Sequence, residues 1–179
     1  LRDQGDAVKG QSVNLLDEIV KFVEVTAKKL DNVTAELTTQ LLDTLTETLQ
    51  GPCEANQDAL VKTNVLEINN RVIGGKLPEV SRKNCHELKQ ASIVFLNSLC
   101  EGRSVDDLTV QQAVVRSMSM GALKRRLVAI IQHMGVAKSR DMRSSLKTEA
   151  YEIMQLIIAA CPDGLDAQDV DGATALMIA

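Results

Sequence analysis

Tryptophan is absent from this chain of 179 residues, and Phe22, Phe95 and Tyr151 are its only aromatics. The interior must therefore be built from Leu, Ile, Val, Met and Ala, a composition that suits layers of packed helices. Cysteine is sparse and scattered: Cys53, Cys85, Cys100 and Cys161 form no Cys-x-x-Cys pair and have only His86 and His133 as companions, which argues against a zinc knuckle. A chain this large and apolar needs no disulfide staples, so reduced thiols are expected. Cys85 and His86 are neighbours, but adjacent side chains on a helix point ~100° apart, so neither a metal pair nor a dyad is expected there. No basic excess is present, since 20 Lys and Arg face 24 Asp and Glu for a net charge of −4, and a nucleic-acid partner is set aside. The longest apolar run, Leu156 to Cys161, has six residues, far short of the ~20 that span a bilayer. There is no phosphate-cradling glycine loop, no nucleophile elbow and no His with an acidic partner at plausible spacing, so no enzyme is indicated. Asp106-Asp107 reads as a charge pair at a helix N-terminus. Without an initial Met or a signal-peptide pattern, and ending in an apolar run at Ala179, the sequence reads as a piece of a longer protein.

What is present is helical periodicity. Leu16, Ile19, Val20, Val23, Ala27 and Leu30 predict a first helix over about Ser12–Leu30 with Ser12 as N-cap. Asp31-Asn32 breaks it, and a second helix follows from Val33 to about Gln50. Shorter helices are expected over Glu54–Val61 and Val65–Ile73, ended by Gly74-Gly75 and Pro78. A long helix over about Glu79–Glu101 carries Leu88, Ala91, Phe95 and Leu99 on its stripe and stops at Gly102. Asp107–Ser119 comes next, bounded by Gly121. Leu123, Leu127, Ile130, Ile131 and Met134 then mark a helix up to Gly135, with Lys124-Arg125-Arg126 on its solvated outer faces. The last helix runs from about Asp141 to Ala160, before Pro162. Asn32-Val33-Thr34 matches a glycosylation sequon, read as chance at a helix junction. The expectation is one all-α domain over 1–179: seven or eight antiparallel helices forming an irregular armadillo-like solenoid or a bundle.

The stretch Leu45-Thr46-Glu47-Thr48-Leu49-Gln50-Gly51-Pro52-Cys53 joins the end of the second helix to a sharp stop. Val33, Leu37, Leu41, Leu45 and Leu49 recur every four residues, which suggests one buried face. Gly51 tolerates positive φ and Pro52 cannot continue the ladder. Glu47 and Gln50 then share a face in the last turn, where a carboxylate sits at the negative end of the helix dipole unless a cation compensates. That makes Glu47 a candidate cation ligand, although a solvated Glu and a surface Gln are the ordinary outcome.

Leu45-Thr46-Glu47 followed by Gln50-Gly51-Pro52-Cys53, with Glu54, Asn56 and Gln57, resembles the signature of the inositol trisphosphate receptor and ryanodine receptor superfamily of intracellular calcium-release channels. The resemblance continues through Glu87-Leu88-Lys89 with Ala91-Ser92, Phe95-Leu96, Leu99, and Glu101 with Arg103. It reaches back to Leu1-Arg2 with Gln4 and forward to Tyr151 and Val170-Asp171-Gly172. Val170-Asp171-Gly172 with Ala175-Leu176 is similar to the inositol trisphosphate receptor branch, whereas the ryanodine branch carries an EF-hand insertion near here. The resemblance implies stacked helices in the cytosolic region preceding the channel part. It implies a homotetramer at the endoplasmic reticulum in which this chain contacts other domains of the same polypeptide. It also implies an activating calcium site that this chain would complete only in part, with Glu47 as ligand and Gln50 beside the ion. A second Glu would come from a preceding segment that this chain does not contain, and a further oxygen from the region after the pore.

The 163–179 segment is a possible start of a following element. Asp169-Val170-Asp171-Gly172-Ala173-Thr174-Ala175-Leu176-Met177 also reads like the opening of an ankyrin repeat. An EF-hand register fails, because Ala167 and Ile178 would fall where Asp and Glu are needed. The rival expectation from another class is therefore a helical scaffold or adaptor without transport activity.

Overall fold

The computed structural model describes residues 14–103, 107–137 and 139–160. Leu1, Arg2, Gln4, Ser12, Asp106, Cys161, Pro162 and the 163–179 segment, all singled out above, lie outside the described residues. Within them are eight helices and no strand: α1 (Leu15–Lys28), α2 (Asn32–Leu49), α3 (Glu54–Val61), α4 (Val65–Gly74), α5 (Arg82–Cys100), α6 (Thr109–Ser117), α7 (Met120–Val136) and α8 (Arg140–Ala160). The fold is all-α.

Side-chain caps mark the starts of α1, α2, α5 and α7. Asn14, rather than Ser12, caps α1 by accepting from the Leu16 amide at 3.2 Å. Asp31 accepts from Thr34 N at 2.8 Å while Thr34 Oγ1 accepts from Asp31 N at 2.8 Å, a capping box that starts α2 at Asn32. Ser81 caps α5, which therefore begins at Arg82 and not at Glu79. Ser119 caps α7, so Gly121 lies in the first turn of α7 instead of bounding α6.

The buried face of α2 differs from the expected stripe. Ala35, Thr38, Leu42, Leu45, Thr46 and Leu49 are buried, whereas Val33 is 74% exposed. A step of four residues turns a helix by 400°, so an every-four stripe drifts by ~40° per step; the face toward the core alternates steps of three and four. Only Leu45 and Leu49 belong to both patterns.

α5 lies at the centre, packed by α2, α4, α6 and α8. Leu88, Ile93, Phe95, Leu96 and Leu99 are fully buried along it, each contributing ~1.5–3 kcal/mol relative to exposure. Phe95 is buried, while Phe22 and Tyr151 are exposed. α1 and α2 run antiparallel, with Thr38 Oγ1 donating to Thr26 Oγ1 at 2.8 Å. In contrast, α2 and α5 run parallel. Their starts meet where Asn32 Oδ1 accepts from Ser81 N at 2.7 Å and Asn84 Nδ2 donates to Asn32 O at 3.1 Å. Their ends meet at Pro52 and Gly102.

Three charged groups, Lys89, Arg126 and Glu149, go inward here. Lys89 Nζ donates to Ile73 O at 3.1 Å and Gly75 O at 2.8 Å, capping the carboxyl end of α4 from the core side. Burial holds its pKa below the ordinary lysine value. Arg126 also leaves the solvated face expected of it: its Nε donates to Glu149 Oε1 at 2.7 Å, and its Nη2 lies 2.6 Å from the same oxygen. Glu149 is fully buried, and its Oε2 lies 3.1 Å from His86 Nδ1. This histidine–carboxylate pair joins residues too far apart in sequence for spacing to reveal it.

Candidate functional site

The carboxyl ends of α2 and α5 are fastened by a polar clasp built from the signature residues. Gly51 turns the chain out of α2 at φ 68° and Gly102 turns it out of α5 at φ 70°. The Pro52 ring then sits on Gly102 so closely that a Cβ there would lie 2.3 Å from Pro52 Cγ. Asn56 Nδ2 donates to Thr48 O at 2.8 Å, satisfying a carbonyl that the end of α2 leaves open. Gln57 is fully buried, and its Nε2 donates to Glu101 O at 2.8 Å and Ser98 O at 3.3 Å, doing the same for α5.

Arg103 closes the clasp. Its side chain is 3% exposed and donates from Nε to Gln57 Oε1 at 3.0 Å, from Nη2 to Glu54 O at 3.1 Å and to Asp58, and from Nη1 to Asp107. Burial opposes its charge, but the hydrogen bonds and charges of Asp58 and Asp107 outweigh burial and raise its pKa. Asp107 is held below the ordinary carboxylate range, first by hydrogen bonds from Thr109 and then by Arg103. It is thus both a helix-start acid, as expected, and a partner of Arg103. Nearby, burial pushes the Cys100 thiol up to about 11, so it stays protonated and unreactive.

Glu47 and Gln50 stand on the outside of this clasp. Both are exposed, and Gln50 Nε2 donates to Glu47 Oε1 at 3.1 Å. They share a face, as the three-residue spacing requires. The amide presents its NH2 to the carboxylate, so joint coordination of a cation would need the Gln50 amide to turn its oxygen inward. Asp43 lies one turn before Glu47, and its pKa is raised by burial and then by the Glu47 charge. No basic residue occurs in α2, so nothing within the helix neutralises this edge. Oxygen donors of this kind suit a hard cation, but calcium takes six to eight of them. No group of three or more His, Cys, Asp or Glu positioned to hold a metal is found among the described residues.

The fold and this site define an all-α helical module with an exposed acidic edge on α2. Residues 1–73, which include α1, α2, Glu47, Gln50 and the first half of the clasp, match the family described as RyR and IP3R Homology associated. Through that segment the chain is similar to the ryanodine receptor and inositol trisphosphate receptor superfamily. No curated protein and no solved structure gives a significant match. No helix among the described residues is long and apolar enough to cross a membrane.

Proposed function

We propose that this chain is a regulatory domain on the cytosolic side of an intracellular calcium-release channel and that it supplies Glu47 and Gln50 as its share of an interdomain calcium site. The reading rests on one observation: the exposed Glu47–Gln50 pair lies inside the family-matched segment, on a helix end that Asn56, Gln57 and Arg103 hold in place. The other oxygens come from other domains of the same polypeptide, in a homotetramer at the endoplasmic reticulum. An ion bridging two separately moving domains binds best when their oxygens converge, so its differential affinity shifts the closed-to-open equilibrium. The domain acts as lever and half-sensor, without catalysis.

A calcium titration followed by thermal melting tests the shared nature of the site. With two side-chain ligands the chain alone binds calcium no better than ~1 mM. At 1 mM free calcium, mass action then yields RT ln 2, ~0.4 kcal/mol, or roughly 1 to 2 °C in Tm. A shift of ~8 °C abolished by Glu47→Ala would show a complete site within this chain and overturn the shared reading.

A further inference from the structure

The last helix, α8, has an outer face of one charge sign. Arg140, Arg143, Lys147, Tyr151 and Met154 recur along it at steps of three and four, which places them within about 80° of arc at ~100° per residue. All five are exposed, Tyr151 by 59% and Met154 by 40%. The helix buries Leu146, Ile153 and Leu156 on another side, where it packs on α5, α6 and α7. Its three acids, Asp141, Glu149 and Glu152, fall off the outer face by the same spacing. The face therefore runs from a basic half near the start of α8 to an apolar half near its end.

The sequence that follows α8 complements this face. Residues 161–179 hold Asp163, Asp166, Asp169 and Asp171 and no Lys, Arg or His. Without those four the chain has 20 acids against 20 Lys and Arg, so the whole net charge of −4 resides in this segment. It opens on Cys161-Pro162-Asp163-Gly164-Leu165, a Pro-Asp-Gly signature that favours a tight turn and a return along the helix just left. Reach then sets the register. An extended chain advances ~3.3 Å per residue and a helix ~1.5 Å, so each returning residue passes about two residues of α8. After a reversal at Pro162-Asp163, that ratio brings Leu165 beside Met154, Asp169 beside Lys147 and Asp171 beside Arg143.

We infer that residues 165–171 dock on the outer face of α8, Leu165 covering its apolar end and Asp169 and Asp171 pairing with Lys147 and Arg143. Exposed ion pairs are individually weak. The short tether offsets this, because it holds the segment at millimolar effective concentration beside the face. The docked segment shields Tyr151 and Met154 from solvent, as a terminal cap does in a helical stack.

Tyr151 is the only tyrosine and tryptophan is absent, so tyrosine fluorescence of the 179-residue chain reports on this face alone, and acrylamide quenching measures its cover. Asp169→Lys combined with Asp171→Lys should raise the quenching constant, since each lost pair lowers the ratio of docked to undocked segment by about two- to fivefold. The Asp→Asn versions should move it the same way by less. Lys147→Glu should also raise it, and adding Asp169→Lys to Lys147→Glu should restore the native value, which a merely structural role of Lys147 would not allow. Lys62→Glu, at an exposed position outside α8, should change nothing. Quenching that ignores the Asp substitutions overturns the inference, and failure of the charge swap to restore it overturns the pairing. Shielding that vanishes on dilution, with a dimer seen in sedimentation, would mean that a second copy covers the face and would overturn the intramolecular docking.

Discussion

Replacing Arg103 by Met should be among the most damaging single changes near the surface of this fold. The substitution keeps much of the apolar stem and removes a guanidinium that is 3% exposed. Gln57 is fully buried and would lose the donor to its Oε1, a buried unsatisfied oxygen that costs ~1–3 kcal/mol. The charge-assisted bonds to Asp58 and Asp107 go too, but those side chains are 48% and 39% exposed and rehydrate readily. Their loss adds only ~1 kcal/mol or less. The expected total is ~1–4 kcal/mol, or roughly 2–16 °C in Tm for a chain of this size. Denaturant unfolding of Arg103→Met, Asp58→Asn and Asp107→Asn separates the contributions, with the two Asp variants each losing less than ~1 kcal/mol. If Arg103→Met lost under ~0.5 kcal/mol, or Asp58→Asn lost as much as Arg103→Met, the clasp would not be organised around the buried guanidinium.

Three further outcomes follow from the same geometry. Gly102→Ala should cost more than Gly51→Ala in chemical denaturation, because both residues have positive φ but only Gly102 would drive a Cβ into the Pro52 ring, at 2.3 Å, while Gly51 has nothing within 4 Å; equal costs would deny the close approach. Leu45→Ala should lose ~2–5 kcal/mol and Val33→Ala under ~0.5 kcal/mol, since Leu45 is fully buried and Val33 is 74% exposed; similar losses would restore the every-four face. Glu152 has its pKa raised above the ordinary 4.5 by burial and by the charges of Glu149 and Glu101, and its Oε2 is buried without a partner. The native state therefore holds this proton more tightly than the unfolded chain, and ionisation weakens stability as pH rises through the native value. Glu152→Gln should stabilise at neutral pH by ~0.5 kcal/mol after allowance for solvent screening, with the gain fading below about pH 4; a gain that persists in acid would refute this.

Much of the helix plan was legible because its signals are local. Gly51, Gly74-Gly75, Pro78 and Gly102 punctuate the chain where helices end, and the Leu88-Ala91-Phe95-Leu99 stripe is buried as its spacing requires. Caps were less legible, since Asn14, Ser81 and Ser119 compete with other plausible starters nearby and geometry decides among them. The parallel run of α2 beside α5 was hidden, because short connections suggest antiparallel neighbours and these two helices are separated by α3 and α4. Glu47 and Gln50 were placed on one face by spacing alone, and the structure joins them by a hydrogen bond. Asn56, Gln57 and Arg103 were visible only as parts of a resemblance. Their chemistry depends on partners such as Thr48, Ser98 and Glu101, which no periodicity connects to them. The inward turn of Arg126 to Glu149 was missed for the same reason: a run of three basic residues reads as surface until its long-range partner is known.

The central claim concerns Glu47, and the most direct measurement is single-channel recording of the intact channel across a calcium series. Glu47→Ala should shift activation to higher calcium while assembly is preserved, because the residue is exposed and its removal leaves the clasp intact. Glu47→Gln should act similarly, since it keeps the size of the side chain and removes the charge that a hard cation needs. An unchanged activation midpoint in a well-assembled Glu47→Ala channel would contradict the account.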